Sequence, residues 1–140
     1  MIKPILYVED DENDAFLMNR AFEKLKLAHP LRILPDGKLA IAYLSGNPPY
    51  VSRDENPLPC LMFLDLSMPG RTGFDVLQWL QNQPALSTFP VIVLTSSNQQ
   101  SDVQNAKLLG AKGYLVKPGE PSELLRMVKS TVEHWLDTSY

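Results

Sequence analysis

Five residues of this chain carry side chains suited to phosphoryl chemistry, and each lies just beyond a short apolar run. Glu9 and Asp10 follow Ile5–Val8, Asp65 follows Cys60–Leu64, Thr95 follows Val91–Leu94, and Lys117 follows Gly113–Val116. Carboxylates held close together repel, so at least one pKa rises unless a cation intervenes. A hard divalent cation with oxygen ligands relieves that repulsion. Mg²⁺ takes one or two carboxylates, keeps waters and binds phosphate oxygens. A lysine brings a point charge to a phosphate, a threonine hydroxyl donates to a phosphate oxygen, and a carboxylate can act as the nucleophile that becomes an aspartyl-phosphate. Phosphoryl transfer asks mainly for positioning and charge neutralisation. Each piece alone is ambiguous. Asp10, Asp11 and Asn13 could simply form a turn or cap a helix, and Lys117-Pro118 could be only the start of a loop. The weight lies in their joint occurrence.

These residues meet only if the runs before them are strands of one sheet. The apolar stretches Ile5–Val8, Cys60–Leu64 and Val91–Leu94, with Gly113–Val116 and the less apolar Leu31–Leu34, read as five strands. Helical patterns alternate with them. One carries Phe16, Leu17, Ala21, Phe22 and Leu25, and another runs over Leu39–Leu44, between an Asp36-Gly37 turn and Ser45-Gly46. Others cover Phe74–Leu80, Asp102–Leu109 with Gly110 as stop, and a last helix after Pro121 with Ser122 as N-cap, ending near Trp135. Residues 47–59, with Pro48, Pro49, Pro57 and Pro59, form a surface loop, and Pro69-Gly70 lies in a second loop after Asp65. Alternating strands and helices predict an α/β fold, a parallel sheet covered on both faces through right-handed crossovers. In such sheets ligands bind beyond the carboxyl ends of the strands, which is where the five residues stand.

Composition sets outer limits. The chain of 140 residues fits one compact domain, with no second. A net charge of −3, with 13 scattered Lys and Arg, argues against nucleic-acid binding. The single cysteine, Cys60, forms no internal disulfide and suits a cytoplasmic setting. No apolar run is long enough to span a bilayer, and the first residues lack a signal-peptide layout.

The motif strings Ile5-Leu-Tyr-Val-Glu-Asp-Asp, Phe63-Leu-Asp-Leu-Ser-Met-Pro-Gly-Arg-Thr-Gly, Val91-Ile-Val-Leu-Thr-Ser and Gly110-Ala-Lys-Gly-Tyr-Leu-Val-Lys-Pro, in that order, resemble the receiver domains of two-component response regulators. The resemblance implies a doubly wound, flavodoxin-like and CheY-like fold: a five-stranded parallel sheet in order 2-1-3-4-5 flanked by five helices. It implies a single receiver domain over 1–140, with a core of about 4–136 and no output domain. Asp65 resembles the phosphoacceptor. Asp10 resembles the main metal carboxylate, Glu9 a second acidic position acting through water, and the Ser67 carbonyl a third protein ligand to Mg²⁺. Thr95 resembles the hydroxyl that turns to the phosphate, and Lys117 the lysine that pairs with it, its bond to Pro118 being cis in the family. Tyr114 resembles the aromatic switch residue that swings from exposed to buried. Asp36-Gly37, Ala42-Tyr43-Leu44, the long loop 47–59 and the tail around Trp135 are similar to the small regulators paired with bacterial phytochromes. That narrower likeness implies a histidine kinase as donor, a light-sensing phytochrome among the candidates, and a homodimer through the face of the fourth helix, fifth strand and last helix.

Two other readings use the same residues. A Mg²⁺-dependent phosphatase also forms an aspartyl-phosphate, but such enzymes commonly carry a second carboxylate two residues past the nucleophile, where this chain has Ser67. An interaction domain without phosphorylation is disfavoured by the intact Asp10, Asp65, Thr95 and Lys117. His29 and His134 are expected at the surface, Trp79 and Trp135 in packing. The stripe Leu124, Leu125, Val128, Val132 and Trp135 is expected mainly to cover the sheet.

Overall fold

The computed structural model describes residues 2–68, 72–86 and 88–136. The expected Pro69-Gly70 segment lies outside them. Strands β1 (Ile5–Val8), β2 (Leu31–Leu34), β3 (Leu61–Leu64), β4 (Val91–Thr95) and β5 (Gly113–Val116) alternate with helices α1 (Glu12–Leu25), α2 (Gly37–Ser45), α3 (Gly73–Gln81), α4 (Gln100–Leu108) and α5 (Pro121–Trp135). All pairings are parallel, in the order β2-β1-β3-β4-β5. A 3₁₀ turn at Pro84–Leu86, absent from the sequence reading, follows α3.

The near-continuous apolar character of β1, β3 and β4 follows from burial on both faces. Alternate side chains divide between two cores. Leu6, Val8, Met62, Leu64 and Val93 pack with Tyr43 and Leu44 of α2 and Val76 and Leu77 of α3. Ile5, Tyr7, Phe63, Ile92 and Leu94 pack with Met18 and Phe22 of α1 and with Leu124, Val128 and Val132 of α5. Leu124, Val128 and Val132 of the α5 stripe therefore cover the sheet, while Leu125 lies outside both cores, and Trp79 and Trp135 pack, partly buried, against the two cores.

Local chemistry fixes where the helices begin. Asp11 caps α1, its carboxylate accepting from the Asn13 and Asp14 N–H groups at 2.8 and 3.1 Å. Asp36, expected in a turn, caps α2 instead, and Gly37 is already helical. Thr72 and Asp75 form a reciprocal capping box at α3. Ser122 does not cap α5. Pro121 opens that helix, suited to a first-turn site where no N–H donor is needed, and Glu120 holds the cap position without a side-chain bond. Phe16 also departs from the pattern. The face of α1 that packs inward is Met18, Ala21 and Phe22, which leaves Phe16 exposed under the Arg20 guanidinium, 5.8 Å from its ring. The long loop is docked rather than free: Arg53 donates to the Tyr43 and Leu44 carbonyls at 2.7 and 2.6 Å, and Tyr43 donates to Pro57 O at 2.8 Å. Among the described residues the only cis peptide bond is Pro48–Pro49, so the Lys117–Pro118 bond is trans, the lower-energy isomer of an X–Pro bond.

One close approach bears directly on the sheet's rim. A Cβ on Gly73 would clash with the Asp65 carbonyl oxygen and lie 2.8 Å from Leu66 Cα. Both neighbours are backbone and cannot step aside cheaply, so glycine lets α3 start against the end of β3. Gly73→Ala is expected to lower unfolding stability by about 1–3 kcal/mol, as for other overpacked sites, and to shift the Asp65 and Leu66 amide resonances. A wild-type urea midpoint in that variant would contradict the packing.

Candidate functional site

The parallel strands end together, so the residues just past them share one rim of the sheet. Asp65 N donates to Val8 O at 3.1 Å, and Lys117 N donates to Thr95 O at 2.8 Å, tying successive strand ends to one another. At that rim the Lys117 ammonium lies 2.6 Å from Glu9 Oε1, 2.7 Å from Asp14 Oδ2 and 3.2 Å from Asp65 Oδ2. The other Asp65 oxygen accepts from Ser67 N at 3.2 Å. Glu9 is held on both oxygens, by the Tyr7 hydroxyl at 2.8 Å on Oε1 and by the Asp11 N–H at 3.1 Å on Oε2. Thr95 is fully buried, and its hydroxyl finds no hydrogen-bond partner. An open cleft of about 590 Å³ is lined by Glu9, Asp10, Asp11, Glu12, Asn13, Asp14, Asp65, Ser67, Ser96 and Lys117.

The electrostatics are those of crowded, partly dehydrated carboxylates. Burial pushes Glu9 up to about 7, against the pull of hydrogen bonds from Lys117, Tyr7 and the Asp11 N–H; the nearby Asp65 adds to the rise. Burial, together with Glu9, drives the Tyr7 phenol far above its ordinary value, so it stays a donor. Burial works against the charge on Lys117. Its hydrogen bonds to Asp14 and Glu9 and the field of Asp65 outweigh that cost and raise its pKa above the ordinary lysine value.

Carboxylate oxygens of Glu9, Asp10 and Asp65 lie within 4.8 Å of one another. An oxygen-only donor set of this kind fits a hard divalent cation of the Mg²⁺ class rather than a softer metal. Both oxygens of Glu9 and both of Asp65 are already engaged, and Glu9 is the more buried of the two, so the exposed Asp10 is the freest direct ligand and Glu9 is suited to an outer role.

The chain matches the response regulator receiver domain family over residues 5–129. The chain belongs to the response regulator receiver family. It is 35% identical over 136 residues to response regulator Rcp1 of Synechocystis, covering 97% of this chain and 90% of that protein. The phosphorylated cyanobacterial phytochrome response regulator RcpA superposes with a TM-score of 0.89 at 31% identity, covering 100% of this chain and 98% of RcpA. The Mn²⁺-bound form of Rcp1 superposes with a TM-score of 0.85 at 35% identity, covering 99% and 97%. Relatives among the phytochrome response regulators agree with the narrower likeness seen in the sequence, and the strand order is the one the receiver resemblance implied.

Within this receiver domain, Glu9, Asp10, Asp65, Ser67 and Lys117 share the cleft, and Thr95 ends the strand beside that of Asp65. The Glu9-Asp10-Asp11 cluster divides: Asp11 is a helix cap, while Glu9 and Asp10 face the cleft. Tyr114 is already half-buried, its hydroxyl donating to Ser97 O at 2.9 Å, rather than exposed. Two participants were missed in the sequence. Tyr7 looked like one more apolar strand residue, and only its alternation with Glu9 places both side chains on the same side of β1. Asp14, in the first turn of α1, drew no reading from the sequence. The Ser97 hydroxyl donates to Asp102 Oδ2 at 2.5 Å, joining the β4–α4 turn to α4.

The solitary Thr95 hydroxyl gives a sharp expectation for the resting protein. Valine has nearly the same shape and removes an unsatisfied buried polar group, so Thr95→Val is expected to raise unfolding stability by about 1 kcal/mol. Thermal or urea unfolding checks this, and a clear loss of stability in the valine variant would mean that the hydroxyl is paired.

Proposed function

We propose that this chain is a response regulator receiver that accepts a phosphoryl group from a histidine kinase on Asp65, with Mg²⁺ at the acidic cluster, and signals by a change of surface. The observation that carries the reading is the joint state of three rim residues. Asp65 is a buried carboxylate with Lys117 beside it, and Thr95 is a buried hydroxyl with no partner. A phosphoryl group on Asp65 would bring new acceptors to this rim, and an unpaired Thr donor and a lysine ammonium are the groups that gain from them. Asp10, Asp65 and the Ser67 carbonyl would hold Mg²⁺, with Glu9 in an outer role, and the ion would supply positive charge to offset that on the transferring oxygens.

The protein's own residues do the rest. Lys117 offsets charge at the acceptor oxygen. Tyr7 and the Asp11 N–H hold Glu9 in place beside the acceptor against the repulsion between the two carboxylates. Thr95 turns its hydroxyl to the new phosphate, and Tyr114 answers through the β4–α4 turn, where it is already bonded to Ser97 O. The phytochrome response regulators among the relatives favour a phytochrome-type kinase as donor. The face of α4, β5 and α5 is the exit for the signal, and a homodimer would use it; Leu108 and Val116, 77% and 40% exposed, lie there. No helix among the described residues is long and apolar enough to cross a membrane.

Incubation with acetyl phosphate and Mg²⁺, followed by intact mass, is expected to show one added phosphate on the wild type, none on Asp65→Asn, and none when the metal is chelated. Labelling of Asp65→Asn at the wild-type level would overturn the assignment. Sustained release of phosphate from assorted monoesters would instead favour the phosphatase reading.

A further inference from the structure

Asp14 is the one carboxylate around Lys117 that the proposed acceptor and metal set does not use. Asp11 caps α1, so Asp14 stands third in the helix. A carboxylate at that position commonly reaches back to the N–H of the cap residue. Here that N–H already donates to Glu9 Oε2 at 3.1 Å. Asp14 is thereby left free, and its Oδ2 takes Lys117 Nζ at 2.7 Å instead, from a helix 103 residues away in sequence. The Asp14 side chain is 30% exposed and that of Lys117 only 14%.

We propose that Asp14 is a positioning residue for phosphoryl acceptance, holding the Lys117 ammonium back toward α1 so that it neutralises Asp65 without closing on it. An ammonium has three N–H donors, and the geometry gives it three acceptors. Glu9 and Asp14 hold it at 2.6 and 2.7 Å, and Asp65 stands off at 3.2 Å. Glu9 and Asp65 both project from the sheet, whereas Asp14 pulls from the helix side, beside Leu17, Pro118 and Glu120. Without that pull, Coulomb attraction draws the ammonium onto Asp65 Oδ2. A carboxylate in a tighter ion pair is a weaker nucleophile, and the lysine is less ready to follow a phosphate oxygen. A simple helix-dipole role for Asp14 would need no contact with Lys117 at all.

The inference rests on Asp65 being the acceptor, so its test has one arm that needs no phosphorylation. In the metal-free protein labelled with ¹⁵N-lysine, the Lys117 ammonium is expected to give a slowly exchanging resonance, assigned by its loss in K117R. That signal should disappear in D14N and return in D14E. In the second arm, D14N is expected to slow Asp65 labelling by saturating acetyl phosphate and Mg²⁺ about five- to tenfold, the scale of one lost charge-assisted hydrogen bond at a partly exposed site, with D14E recovering most of the rate. In a K117A background D14N should cause no further slowing. Persistence of the ammonium resonance in D14N overturns the proposal. So does an unchanged labelling rate, or an equal slowing with and without Lys117, which would mark a helix-stability effect. If wild type takes no label at all, the acceptor reading fails while the resonance still reports whether Asp14 holds the lysine.

Discussion

The rim of this sheet is governed by the repulsion of carboxylates gathered around one ammonium. Glu9, Asp10, Asp11, Glu12, Asp14 and Asp65 line one open cleft, and among the described residues Lys117 is the only basic one lining it. Such a concentration of like charge is unfavourable in a low-dielectric setting, and the neighbouring structure reads as a set of devices that make it tolerable. Asp11 is spent on the α1 N-terminus, where backbone N–H groups and the positive end of the helix dipole favour a negative charge. Glu9, the most buried of the group, receives a phenol and a backbone N–H as well as the ammonium. Asp10 stays exposed, where water screens it. What remains is a site with a deficit of positive charge and a ready set of hard oxygen donors.

That deficit can be held only because everything beneath it is rigid and apolar. The central strands β1 and β3 are buried along their whole length, and the two cores they feed lock the strand ends in register. α3 begins against the end of β3 through Gly73, so the Asp65 carboxylate stands on backbone fixed from two sides. The stabilising interactions lie in the layers and the destabilising ones at the rim, the division expected when a site departs from local stability rules for the sake of function.

Much of this was legible in the sequence because two periodicities were clean. Uninterrupted apolar runs of four or five residues marked β1, β3 and β4, which are covered on both faces, as well as the partly buried β5, and the next polar residue after each run marked the rim. Asp65, Thr95 and Lys117 were found in that way. The positions that escaped depend on relations no window contains. Phe16 matched the helical spacing, but which flank of α1 faces the sheet is decided by packing with α5. Ser122 had the chemistry of a cap, yet Pro121 had already started the helix. Asp14 was invisible because its partner is 103 residues away, and because its usual local partner had been taken by Glu9. Tyr7 was hidden by its own hydrophobicity, since the ring belongs to the core and only its hydroxyl belongs to the site.

The same rim contains the elements of a two-state response. Thr95 and Lys117 are joined through the backbone by the Lys117 N–H to Thr95 O bond, so a displacement at one strand end is felt at the other. Two residues beyond Thr95, Ser97 holds Asp102 of α4 by its side chain and the Tyr114 hydroxyl of β5 by its carbonyl. The turn after β4 is thus bonded at once to the fourth helix and the fifth strand. A buried hydroxyl without a partner carries a penalty of about 1–3 kcal/mol, which in population terms is roughly five- to 150-fold. On the proposed reading, a phosphate at Asp65 relieves that penalty in one arrangement of the turn and not in the other. A ligand shifts an equilibrium only by its differential interaction with the two states. The unpaired Thr95 hydroxyl supplies such a difference, and the Ser97 junction gives it a path to the surface formed by α4 and β5.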